Sequence, residues 1–107
     1  MNVQELAPNA AAAARFLRAL GNEKRLQILC RLHDGELSVG ELQQDLELSQ
    51  SALSQHLARL RQDDLVLTRR EAQTIYYSLA DAAVTDIIAV LHERFCPPMR
   101  KRRRVRG

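Results

Sequence analysis

The chain has 107 residues, 46% apolar and 27% charged, which fits one small folded domain and is too apolar for a disordered chain. No apolar run approaches the roughly 18 residues of a membrane span. The start "MNVQELAPNAAAA" lacks a basic stretch ahead of an apolar one, so no signal peptide is predicted and a cytoplasmic location is the default expectation.

The net charge of +3 conceals an asymmetry. Arg100, Lys101, Arg102, Arg103, Arg104 and Arg106 crowd into the tail "CPPMRKRRRVRG". Without those six of the 16 basic residues, ten face 13 acidic ones, so residues 1–99 carry −3. The high isoelectric point therefore does not by itself imply a basic face on the folded part. Residues 97–107 are expected to form a basic, disordered tail of the kind that touches nucleic acid, and residues 1–96 the folded domain.

Along the chain, residues 9–20 are alanine-rich, carry Phe16, Leu17 and Leu20 on one side, and end at Gly21, a suitable C-cap. A second helix is predicted from about Glu23 to Asp34, with Leu26, Leu29, Cys30 and His33 as its apolar stripe and Gly35 as its stop. In "LSVGELQQDLELSQSALSQHLARLRQDDL", Ser38 and Glu41 form a capping box, and Leu37 and Leu42 a hydrophobic staple around it. Ser49 is the next N-cap, stapled by Leu48 and Leu53. Two short helices separated by "LEL" are the signature of a helix-turn-helix.

After Asp64 the apolar period falls from 3.6 to 2. Residues 65–70 and "TIYYSL" (74–79) read as two strands joined by "EAQ", a hairpin whose turn type the sequence does not assign. Residues 82–96 form a last helix striped with Val84, Ile87, Ile88, Leu91 and Phe95, which Pro97 and Pro98 should stop. The expected fold is mainly α with a β-hairpin wing (α+β), a winged helix-turn-helix. Its first and last helices carry more apolar surface than a small core needs, so they are expected to pair in a homodimer.

The outward face of the helix 49–62 carries Gln50, Ser51, Ser54, Gln55 and Arg59. Gln can bond adenine bidentately, Arg can bond guanine or phosphate, and Ser can bond either. A solvated face normally mixes Lys with Glu at i, i+4 spacing. Here no acidic residue lies between Ser49 and Gln62, which favours contact with double-stranded DNA. His56 is a candidate phosphate contact or a packing residue at the edge of this face. Arg69, Arg70, Gln73 and Thr74 flank the wing tip, where arginines reach phosphates or a minor groove. Ordinary solvated strand ends are the alternative for these four.

Cys30 and Cys96 fit no CxxC or zinc-ribbon spacing. Cys30 lies on an apolar stripe, where buried inert thiols are common. Cys96 ends a helix whose dipole disfavours a thiolate, while the arginines beyond Pro98 favour one. The residues alone leave open whether the pair is structural or reactive.

"LGNEKRLQILCRL", "GELSVGELQQDLELSQSALSQHLARLR" and "LVLTRREAQTIYYSL" resemble the ArsR/SmtB family of dimeric winged-helix repressors over about residues 12–96. The match is nearest its HlyU/BigR-like thiol-sensing subgroup. The family's metal sensors use an "ELCVCDL" motif that here reads "ELSVGEL". Ser38 and Gly40 thus stand at the thiolate positions, and neither replaces a thiolate as a soft-metal ligand. A second family site needs Asp and His at the start of the last helix. Here Asp81 is followed by Ala83, and His92 and Glu93 have no matching pair. No metal and no cofactor is therefore expected, and a metal-responsive repressor is set aside.

In the subgroup, one Cys sits on the second helix and one at the end of the last. Cys30 and Cys96 match both positions. The resemblance implies a redox-sensing pair that answers oxidants or reactive sulfur species through a disulfide or polysulfide bridge and so changes operator affinity. It also implies regulation partly by displacement of a nucleoid silencing protein. The alternatives are a constitutive regulator or anti-silencer with structural cysteines, and a protein-docking module whose tail binds RNA. An enzyme is not expected: there is no Ser/His/Asp set, glycine-rich phosphate loop or metal constellation.

Overall fold

A computed structural model describes residues 1–96. The basic tail and the two prolines before it lie outside the described residues. Six helices and three strands follow in the order α1 (Val3–Leu6), a 3₁₀ turn (Ala7–Asn9), α2 (Ala10–Leu20), α3 (Glu23–Leu32), β1 (Leu37–Ser38), α4 (Val39–Asp45), α5 (Gln50–Gln62), β2 (Val66–Glu71), β3 (Thr74–Leu79) and α6 (Ala82–Phe95).

Local chemistry starts most of these helices. The side chain of Asn22 accepts from the Arg25 N–H at 3.0 Å, that of Ser49 from Ala52 at 3.1 Å, and that of Asp81 from Val84 at 3.1 Å. The Ser38–Glu41 capping box closes in both directions, at 3.2 and 2.9 Å. Asp81 thus serves as an N-cap. At the other end of α5, Asp64 takes φ +60°. Its N–H bonds the Arg61 carbonyl, and the Leu65 N–H reaches back to Leu60 at 2.9 Å. Those two bonds, with Leu60 and Leu65 both fully buried, make a Schellman motif in which Asp stands where glycine is usual.

One core runs through the helices. Leu29 and Leu32 of α3, Leu42 of α4, Leu53, Leu57 and Leu60 of α5, Leu65 beside β2, and Val84 and Ile88 of α6 are all buried. Each such side chain contributes about 1.5–3 kcal/mol by leaving water. Arg25 adds a polar tie: its Nε donates to the Ala19 carbonyl at 2.7 Å and Nη2 to that of Arg18 at 3.3 Å, so α3 helps to satisfy the last carbonyls of α2.

Three expectations need correction, and one element went unassigned. The buried stripe of α3 is Ile28, Leu29 and Leu32, and Cys30 and His33 are exposed on its flank. Residues 3–6, unassigned from the sequence, form a capped helical turn. The sheet has three strands in the order β1-β3-β2, because Leu37 and Ser38 pair with Tyr77 and Tyr76. The wing link is two residues, Ala72 and Gln73, since Glu71 already pairs with Thr74. Ala72 makes that turn by taking φ +56°.

Candidate nucleic-acid interface and thiol groove

Helix α5 turns Leu53, Leu57 and Leu60 into the core, so its polar side chains point out by geometry alone. Gln50, Ser51, Ser54, Gln55 and Arg59 are all exposed there, as one face of one helix. The helix opens at the N-cap Ser49 among exposed residues, and the free N–H groups of a helix start attract phosphate. Arg59 has a partner: its Nε donates to Asp63 Oδ2 at 2.6 Å.

His56 lies at the edge of that face. It is half-buried, and burial and then the nearby Arg25 charge push its pKa down, so the ring is neutral at neutral pH. Sequence reasoning passed over Arg61. It is exposed one helical repeat beyond Ser54, and with Ser54, Ala58 and Gln62 it borders a groove of about 460 Å³ closed by Val39 of α4 and Tyr77 of β3. The usable signal was its i, i+7 relation to Ser54. This groove joins the helix face to the wing.

On the wing, Arg70, Gln73 and Thr74 are exposed around the tip, and among the described residues Arg70 has no salt bridge. Arg69 differs. Its guanidinium holds Glu36 through Nε and Nη2, the latter at 2.7 Å, and Glu71 through Nη1 at 2.7 Å. It also stacks over the Tyr76 ring, 4.6 Å from the centroid.

The two cysteines share a groove elsewhere. Cys30 on α3 and Cys96 at the end of α6 are free, exposed thiols that line one groove of about 310 Å³, walled by Leu26, Ile88, Leu91 and Phe95. Desolvation and then the neighbouring Cys96 push the Cys30 thiol above the ordinary range. His92 also lines this groove and a more polar one beside it that adds His33, Asp34 and Glu93. Among the described residues, no group of three or more His, Cys, Asp or Glu side chains is placed to hold a metal ion. None of their helices is long and apolar enough to cross a membrane.

The model of the bacterial regulatory protein, arsR family, matches residues 22–68, which span α3, β1, α4, α5 and the first half of β2. The transcriptional activator HlyU of Vibrio cholerae serotype O1 is 59% identical over 96 residues, covering 90% of this chain and 89% of that one. The solved structure of reduced HlyU from Vibrio cholerae superposes with a TM-score of 0.81 over 87% of this chain and 98% of that one. The transcriptional repressor BigR of Xylella fastidiosa, 36% identical, gives 0.82 over 92% of this chain and all of that one.

Proposed function

The chain belongs to the arsR family of bacterial regulatory proteins, and from that premise we propose that it is a homodimeric transcriptional regulator whose operator affinity is switched by its two cysteines. It is a DNA-binding regulator with a winged helix-turn-helix, not an enzyme. Gln50, Ser51, Ser54, Gln55 and Arg59 read base edges and phosphates from α5, with His56 at the edge of that face. Arg70, Gln73 and Thr74 contact the backbone from the wing, while the wing cation Arg69 is held by Glu36 and Glu71. The exposed apolar side chains of Leu17 on α2 (61% exposed) and Val90 and Phe95 on α6 (64% and 69%) support a dimer through those two helices. Two copies then set their reading helices about 34–36 Å apart, one turn of duplex.

The observation that carries the switch is the shared groove of Cys30 and Cys96. A bond between them ties α3, which packs on the reading helix, to α6, which is half of the dimer surface. Any change in the angle between those helices alters the spacing of the two heads and lowers operator affinity. Forming the disulfide removes two electrons and two protons from the thiols. With a persulfide R–S–SH as oxidant the products are the Cys30–Cys96 disulfide, R–SH and H₂S. With two persulfides the bridge keeps one sulfane sulfur, and the products are the Cys30–Cys96 trisulfide, two R–SH and one H₂S. The free-thiol state, in which α3 and α6 are not tied together, is taken as the DNA-binding one. Displacement of a nucleoid silencing protein is the route by which operator binding would activate a gene, and the basic tail would add phosphate contacts.

The test is fluorescence anisotropy on DNA from upstream of the protein's own gene, with the protein reduced or persulfide-treated and the intact mass recorded. Binding lost together with a mass change joining Cys30 to Cys96 supports the switch. Cys30→Ser and Cys96→Ser should each bind and no longer respond. Equal binding in both states makes the thiols structural and leaves a constitutive regulator. Sedimentation of a monomer at micromolar concentration would sink the dimer.

A further inference from the structure

Arg69 stands on the wing, yet its charge is already spoken for. Nε lies 3.0 Å from Glu36 Oε2, Nη2 lies 2.7 Å from Glu36 Oε1, and Nη1 lies 2.7 Å from Glu71 Oε2. Every nitrogen of the guanidinium thus has an anionic partner, and the ring of Tyr76 covers one face. One cation between two carboxylates leaves the cluster at −1. The strand order β1-β3-β2 places Glu36, just before β1, and Arg69, on β2, on opposite flanks of β3. The Arg69 hydrogen bond holds the Glu36 carboxyl below the usual range, so it stays ionised at neutral pH.

We propose that Glu36 masks Arg69, so that the wing meets duplex DNA with that cation cancelled and Arg70 as its available charge. The inference rests on the DNA-binding role of the wing. An exposed ion pair is worth little, because water solvates both ions well. A phosphate that displaced Glu36 would therefore gain little over the carboxylate it replaces, and the remaining negative charge would repel it. Glu36 thereby sets how many counterions the protein releases on binding, and with it the affinity at a given salt concentration.

The test uses the full chain and a fluorescein-labelled random-sequence duplex, titrated at several KCl concentrations. Glu36→Gln removes the carboxylate from Nε and Nη2 and leaves Glu71 alone on Nη1, which opens Arg69 to a phosphate. It should tighten binding about fivefold at low salt and steepen the plot of log K against log salt by about 0.9 per protomer. In the Arg69→Gln background, Glu36→Gln should leave that slope unchanged. An equal steepening in both backgrounds would assign the effect to overall charge and overturn masking. Weaker binding by a folded Glu36→Gln protein would overturn it too, because the carboxylate would then be positioning Arg69 for DNA. Glu36→Ala, checked by circular dichroism, repeats the measurement without a hydrogen-bonding side chain. Absence of duplex binding by the unmodified protein at every salt concentration would remove the premise and the proposal together.

Discussion

Glu36 and Arg69 are 33 residues apart in sequence and meet through paired hydrogen bonds across strand β3. The pair joins the segment that leads into the helix-turn-helix to the middle of the wing, adding one exposed contact to the backbone pairing of β1 with β3. Arg69→Gln should therefore speed amide hydrogen exchange at Leu37, Ser38 and Tyr77 while barely moving the melting temperature. Protection unchanged at those amides would mean that backbone pairing alone fixes the wing.

Asp64 carries the left-handed turn at the end of α5 with φ +60°. That conformation costs a residue with a Cβ about 1–2 kcal/mol, somewhat less for Asp, and costs glycine nothing. Asp64→Gly is expected to stabilise the fold by about 0.5–1 kcal/mol, read from urea denaturation. A loss of stability would show that the Asp side chain does more at that corner than its backbone geometry indicates.

The two faces of α5 should separate in mutagenesis. Leu57→Ala opens a cavity under the helix and should cost about 2–5 kcal/mol of stability, because Leu57 is 1% exposed. Gln55→Ala removes an exposed side chain and should leave stability within about 0.5 kcal/mol. If Gln55 reads a base, the same change lowers operator affinity by about 1–3 kcal/mol with little effect on random duplex. Equal weakening on both duplexes would make Gln55 a backbone contact.

Cys30 should react more slowly than a free thiol peptide at neutral pH, because desolvation and the neighbouring Cys96 raise its pKa. Its iodoacetamide labelling, followed by peptide mass, should rise with pH later than that of a free thiol peptide. The sign for stability follows. The folded state holds the Cys30 proton more firmly, so its contribution is present below the ordinary thiol range and fades as pH climbs through the raised value. Cys96→Ser should shift the Cys30 labelling curve toward lower pH by removing a neighbouring negative charge. An unshifted curve would leave burial and the Asp34 charge as the causes.

His56 gives a second pH dependence of opposite sense. Its pKa is depressed by burial and Arg25, so protonation opposes the fold. Stability should fall as pH drops below about 6.5, the ordinary histidine value. His56→Gln should flatten that part of the urea-midpoint profile.

The sequence by itself determined the elements that local chemistry specifies. Ser38 with Glu41, Ser49, and the leucine period of α5 each act within one or two turns, so helix starts, the helix-turn-helix and the outward polar face were legible without a neighbour in view. The hairpin was legible from its period, and the family from the motifs around it. Only the tertiary structure decided what depends on residues distant in the chain. Strand β1 is two residues long, has almost no pattern of its own, and exists because β3 offers a free edge to Leu37 and Ser38. Cys30 shares a helical period with core residues, yet it is exposed because the core lies toward Ile28 and Leu32 and Cys96 comes from the far end of α6. Arg69 reads in sequence as a wing cation, and its pairing with Glu36 appears only when strands β1 and β2 flank β3. Capping and periodicity are short-range and act on the unfolded chain. Pairing, burial and charge cancellation require closure of loops of tens of residues, which the packed core alone achieves.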